Sequence, residues 1–147
     1  MSTAGGSSVG LEALEEVARH FHEHEIHDPP DRIAALICED AEMVLLVNHL
    51  RPLRGKHAIL DALVRGRAAE IYSAWIDRTQ WLDEDTLLLS GNARYAPDET
   101  SLSVSRVWWI DAFRDGCLWR VHAFLKEDDA RNAYAHGRAE EIGADAG

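Results

Sequence analysis

The stretch from Arg19 to Asp28, "RHFHEHEIHD", gathers four of the chain's eight histidines. Residues of these types could hold a metal, move protons, or wet a helix face. On a helical wheel at about 100° per residue, the apolar positions Leu11, Leu14, Val17, Ala18 and Phe21 form one stripe. His20 and His27 fall opposite that stripe, and His22 and His24 lie on its two shoulders. His20, His24 and His27 share a face at i, i+4, i+7 spacing, which could hold a metal. That face is expected to be wet, and no second cluster of His or Cys stands nearby in sequence. The zinc-protease pattern is broken, because Ile26 stands where a second ligand is needed after His22-Glu23. Solvated histidines and no metal are therefore expected. Glu25 lies in line with Phe21 one turn on. A carboxylate beside apolar walls has a raised pKa and can serve as an acid or base.

The strands supply a third candidate. "SVSRVWWIDAF" alternates, so if Trp109 faces inward, Asp111 does too, while Arg106 and Trp108 face outward. Asp111 could be a pocket acid, could end the strand, or could meet Arg114. Glu25, His24 and Asp111 are thus the candidate proton carriers. In the last strand Arg120, His122 and Phe124 share the outer face with Arg106 and Trp108. Aromatic, His and Arg side chains there are the types enriched at protein interfaces. No nucleophile elbow and no phosphate-cradling glycine loop is present.

These residues need elements to hold them. With 147 residues, 46% hydrophobic and 28% charged, the chain suits one globular domain. Its net charge of −11 repels phosphate backbones and anionic lipid heads, so neither nucleic acid nor membrane is an expected partner. Cys38 and Cys117 match no metal or redox spacing and are expected as free thiols in a reducing cytoplasm, although a disulfide is open. Residues 1–10 read as a flexible leader without signal-peptide features.

A first helix runs from Leu11 and stops at "HDPPD". Asp31 can cap a second, "RIAALICED". "AEMVLLVNHL" reads as a strand, and a third helix spans Lys56 to about Ala69. Four long strand-like runs follow, separated by the turn residues "DED", "PDET" and "RDG". The tail, 128–147, is expected to be partly helical. Helices first and a meander afterwards imply an α+β arrangement, a curved antiparallel sheet with three helices on its concave face.

This order resembles the NTF2-like superfamily, and within it the SnoaL-like branch. The resemblance rests on "IAALICEDAEMVLLV", "PLRGKHAILDAL" and "VWWIDAFRDGCLWRVHAFL", and covers about Leu11 to Glu127. It implies a cone-shaped domain over residues 11–127, with Gly55 opening the third helix and Asp115-Gly116 closing the last hairpin. The fold hosts isomerases, cyclases, dehydratases, binders and adaptors, so it does not dictate an activity. Ketosteroid isomerase uses a strand carboxylate, a tyrosine and a protonated aspartic acid on this scaffold. The matching positions here hold Leu45, Phe21 and, near the last hairpin, Trp109, none of which moves protons. The isomerase activity is therefore not expected.

By the same resemblance Phe21, Leu45, Trp109, Val121 and Ala123 would line the concave side as a ligand-binding surface. The expectation is a cytoplasmic SnoaL-like protein binding a small aromatic or polycyclic molecule, with no cofactor. Any chemistry would be a cyclisation, isomerisation or dehydration. The alternative is a non-catalytic homodimeric interaction module with a filled core. In both readings sheet-to-sheet dimers, common in the family, imply a homodimer through the outer sheet face.

Overall fold

β-Branched and aromatic residues alternating with polar ones make strands, and the longest such run here buries every second residue from Val107 to Phe113. The computed structural model describes residues 2–23, 30–46, 50–68, 72–95 and 103–146. In chain order the elements are α1 (Ser2–His22), α2 (Pro30–Ala34), β1 (Ile37–Val44), β2 (Pro52–Arg54), α3 (Lys56–Ala68), β3 (Tyr72–Trp81), β4 (Thr86–Tyr95), β5 (Ser103–Arg114), β6 (Cys117–Phe124) and α4 (Glu127–Ala146). The six strands form one curved sheet in the order β2-β1-β6-β5-β4-β3. The four long strands pair antiparallel as expected, as do β1 and β2, while β1 and β6 run parallel. The β5–β6 hairpin turns through Asp115 and Gly116 at φ 54° and 84°. Two left-handed residues match the twist of the flanking strands.

Four further differences from the sequence reading have physical causes. α1 begins at Ser2, so residues expected as a leader continue the helix. Extending an existing helix costs less than nucleating one. The second helix stops at Ala34, because Ile37 pairs with Leu118 and the backbone N–H of Leu118 donates to the Leu36 carbonyl at 2.8 Å. The short strand β2 was hidden in "RPLRG" and is held by β1. The two cysteines are joined: Cys38 and Cys117 form a disulfide with Cα atoms 5.3 Å apart, bridging neighbouring strands. Spacing along the chain could not show that the β1–β6 seam brings them together.

α1, with Phe21 and Ala18 buried, covers the inner face of the sheet. α4 lies across the outer face instead. There Ala130 is fully buried, Arg131 donates to Gln80 Oε1 at 3.0 Å, and the Tyr134 hydroxyl donates to Asp83 Oδ2 at 2.7 Å.

A β-bulge in β3 sets the inner surface. Ile76 pairs with Gly91 and Arg78 with Ser90, leaving Asp77 as the extra residue. Trp75 and Trp81 therefore lie on opposite faces, despite their even spacing of six residues. Trp75 is 53% exposed, whereas Trp81 packs 5.9 Å from the Phe113 ring. In β4, Arg94 points out and Tyr95 packs on the core. Gly91 is obligatory opposite the bulge, since a Cβ there would sit 1.8 Å from the Trp75 carbonyl oxygen. Gly91→Ala is predicted to cost at least about 3 kcal/mol in urea unfolding or to prevent folding. A wild-type midpoint for that variant would mean that the bulge is not formed as described. The disulfide closes a separation of 79 residues, a constraint worth about 4 kcal/mol. Reduction is predicted to add about 2 Da to the intact mass and lower Tm by roughly 10 °C. An unchanged mass would show that the thiols are free.

Candidate functional site

α1 ends where the inner face of β5 crosses it, and two ionisable side chains meet there. His22 Nε2 lies 2.8 Å from Asp111 Oδ2 and 3.0 Å from Oδ1, within hydrogen-bond distance of both. His22 is 3% exposed and Asp111 is wholly buried. The His22 ring stacks at a tilt on Trp109, 4.7 Å between centroids, and meets Phe21 edge-on at 5.1 Å. Removing two charged groups from water costs several kcal/mol each, so such a pair adds little to stability and points toward a functional role.

The end of α1 is held by backbone that the β3 bulge presents to it. Glu23 Oε2 accepts from the Ile76 N–H at 2.6 Å, and Arg19 Nη1 donates to the Ile76 carbonyl at 3.5 Å. One turn back, the Thr79 hydroxyl donates to Glu15 Oε1 at 2.6 Å. These contacts fix the rotation of α1, and with it the aim of His22.

Phe21, Leu45, Trp109, Val121 and Ala123 all lie in one buried core, with Asp111 beside Trp109 on the same face of β5. Asp111 does not end the strand or meet Arg114, which instead points outward and pairs with Asp40. Glu25 and His24 lie outside the described residues, as does His27. His20 is half-buried, not facing water as the wheel suggested. Among the described residues no group of three His, Cys, Asp or Glu is placed to hold a metal.

The sequence placed Asp111 inward and His22 on a shoulder of the stripe, but did not name His22 as a candidate. The signal was present: Leu11, Leu14, Ala18 and His22 follow i, i+3, i+7, i+11, one continuous helical stripe. Phe21 drew the centre of that stripe away from the histidine.

One atom beside the pair, the buried indole N–H of Trp109, has no hydrogen-bond partner among the described residues. A buried donor without a partner costs about 1–3 kcal/mol, so its retention asks for an explanation. Burial pushes the Asp111 carboxyl above the ordinary carboxylate range, and the adjacent imidazole opposes this only in part.

No protein-family model matches the sequence, and no curated protein matches it. Solved structures do match. An NTF2-like protein of unknown function from Cytophaga hutchinsonii superposes with a TM-score of 0.58 at 17% identity, covering 76% of this chain and 95% of that one. The chain has the NTF2-like fold. A candidate scytalone dehydratase from Novosphingobium aromaticivorans shares it, with a TM-score of 0.61 at 18% identity over 86% of this chain and 89% of its own. So does TerC, crystallised with polyporic acid, with a TM-score of 0.56 at 12% identity over 84% and 95%. At these identities the likeness is one of fold. Within this NTF2-like cone, α1 and β5 carry the ionisable pair.

The sign of the pH effect follows from the raised carboxyl. The folded chain holds the Asp111 proton more tightly than the unfolded chain, whose value is near 3.8. That stabilisation is complete below the unfolded value and is lost as pH rises through the folded one. Asp111→Asn cannot titrate. The difference in Tm, wild type minus Asp111→Asn, is predicted to fall as pH rises from about 4 to about 8. A difference that grows with pH would mean that the carboxyl is ionised at little cost.

Proposed function

We propose that this protein binds a small aromatic or polycyclic molecule carrying a carbonyl or hydroxyl oxygen on the inner face of its sheet. His22 and Asp111 are proposed to carry out cofactor-free acid–base chemistry on it. The observation that carries this reading is the buried His22–Asp111 contact beside a Trp109 N–H with no partner among the described residues. The apolar walls, Phe21, Leu45, Val121 and Ala123, suit a flat hydrophobic body.

The proton bookkeeping is simple. In the proposed reactive form, Nε2 and the Asp111 carboxyl share one proton and Nδ1 carries another. Nδ1 then donates to a ligand oxygen, acting as a general acid. Once it has donated, it becomes the base, and Asp111 holds the ring in place from the far side. The Trp109 N–H supplies a second donor to an oxygen that gains negative charge. Such a pair suits dehydration, isomerisation or ring closure of a hydroxylated aromatic ketone. Candidate scytalone dehydratase and polyporic-acid-bound relatives of the same fold are in keeping with that ligand class.

A second reading has its own support. The inner face is packed, with Trp109 and Asp111 fully buried, while the outer face leaves Trp75 53% and Val104 69% exposed. A non-catalytic homodimer meeting through that uncovered part of the outer sheet fits those numbers. As to compartment, the disulfide removes the basis of the cytoplasmic expectation. Among the described residues no helix is long and apolar enough to cross a membrane.

A thermal-shift screen of hydroxylated naphthoquinones and polycyclic ketones, with zinc and chelator controls, separates the readings. A dose-dependent rise in Tm is expected for at least one compound. Asp111→Asn should keep that rise but lose turnover by about a hundredfold or more. A blank across the library, together with a dimer by light scattering, would favour the interaction module. A fall in Tm with chelator would point to a metal.

A further inference from the structure

The helix α4 does not lie flat on the outer face of the sheet. Between it and strands β1, β2, β5 and β6 runs a groove of about 540 Å³, on the opposite side of the sheet from His22 and Asp111. The volume falls in the range of small-molecule sites. Strand register fixes what lines it. Arg54, Glu42, Arg120 and Ala112 stand side by side in one row across β2, β1, β6 and β5. Val44, His122 and Ile110 form the next row. The small residues Ala112, and Ala133 and Gly137 on α4, leave the space open.

We propose that this groove is a second binding site, for a small planar aromatic carboxylate. The charge pattern selects the anion. At the β2–β1–β6 end two guanidiniums flank one carboxylate, so that end is net positive in a chain of net charge −11. Among the described residues neither Arg54 nor Arg120 forms an ion pair. Arg120 is instead held over the Trp119 ring, 4.1 Å from its centroid, which steadies the guanidinium with its donors unspent. The opposite end carries Asp83 and Asp85, and Asp83 accepts from the Tyr134 hydroxyl. A ligand with one charged end therefore has one favoured orientation, its carboxylate toward Arg54 and Arg120.

The aromatic body follows from the floor. The apolar Val44 and Ile110 flank His122, whose ring stacks on Phe124 at 4.2 Å and 11°. Partial burial lowers the proton affinity of His122, so the ring is neutral at neutral pH and presents a flat, uncharged face. A sheet floor under a helix gives a slot, which accepts a plane more readily than a globular solute.

The test is a nitrogen–proton NMR titration of the full-length protein with 2-naphthoate, with neutral 2-naphthamide in parallel. The expected result is naphthoate-dependent shifts at the amides of Val44, Ile110 and His122, weaker binding of the amide by about tenfold, and a similar loss in Arg120→Gln. Ala112→Phe, which fills the slot and changes no charge, should abolish the shifts. If Ala112→Phe does not fold, Arg120→Gln and the naphthamide comparison decide alone. Equal binding of acid and amide, an unaffected Arg120→Gln variant, shifts confined to the inner-face residues, or no shifts would each overturn the proposal.

Discussion

One contact organises this molecule: the imidazole of His22, on the last turn of the first helix, against the carboxylate of Asp111 on the fifth strand. The partners are 89 residues apart in sequence. Burying either alone would leave a charge or a strong hydrogen-bonding group without water or partner, a penalty of several kcal/mol. The fold can hold them only together. Everything that sets the angle of α1 against the sheet therefore bears on the site. The bulge at Asp77 frees the Ile76 backbone for Glu23 and Arg19, and Gly91 lets the bulged strand come close enough.

Much of the architecture was legible because it rests on periodicity. The two-residue alternation in β5 put Trp109 and Asp111 on the inner face and Arg106 and Trp108 on the outer one. The Asp-Gly turn announced the last hairpin. What was hidden depends on contacts between distant segments. The parallel seam between β1 and β6 turned "ICED" from helix into strand and joined Cys38 to Cys117. The bulge shifted the parity of β3 partway along, so Trp75 and Trp81 separated. No local propensity encodes either event.

The site was half legible. Asp111 followed from strand parity. His22 was visible on the Leu11–Leu14–Ala18 stripe, but a histidine on a stripe edge reads equally well as solvated until the opposing carboxylate is known. Comparison by position with ketosteroid isomerase found Phe21, Leu45 and Trp109, none of which moves protons. The ionisable groups sit one residue beyond Phe21 and two beyond Trp109. A shared fold therefore carries no residue's role over by position alone.

The account stands on the two groups acting as one unit, and a double-mutant cycle on unfolding free energy measures that directly. His22→Gln and Asp111→Asn should each cost about 3–5 kcal/mol, because each strands the other group in the core. The double variant should cost little more than either, a coupling of about 3 kcal/mol or more. Costs that simply add would contradict the account, since they would show that the two side chains do not depend on each other.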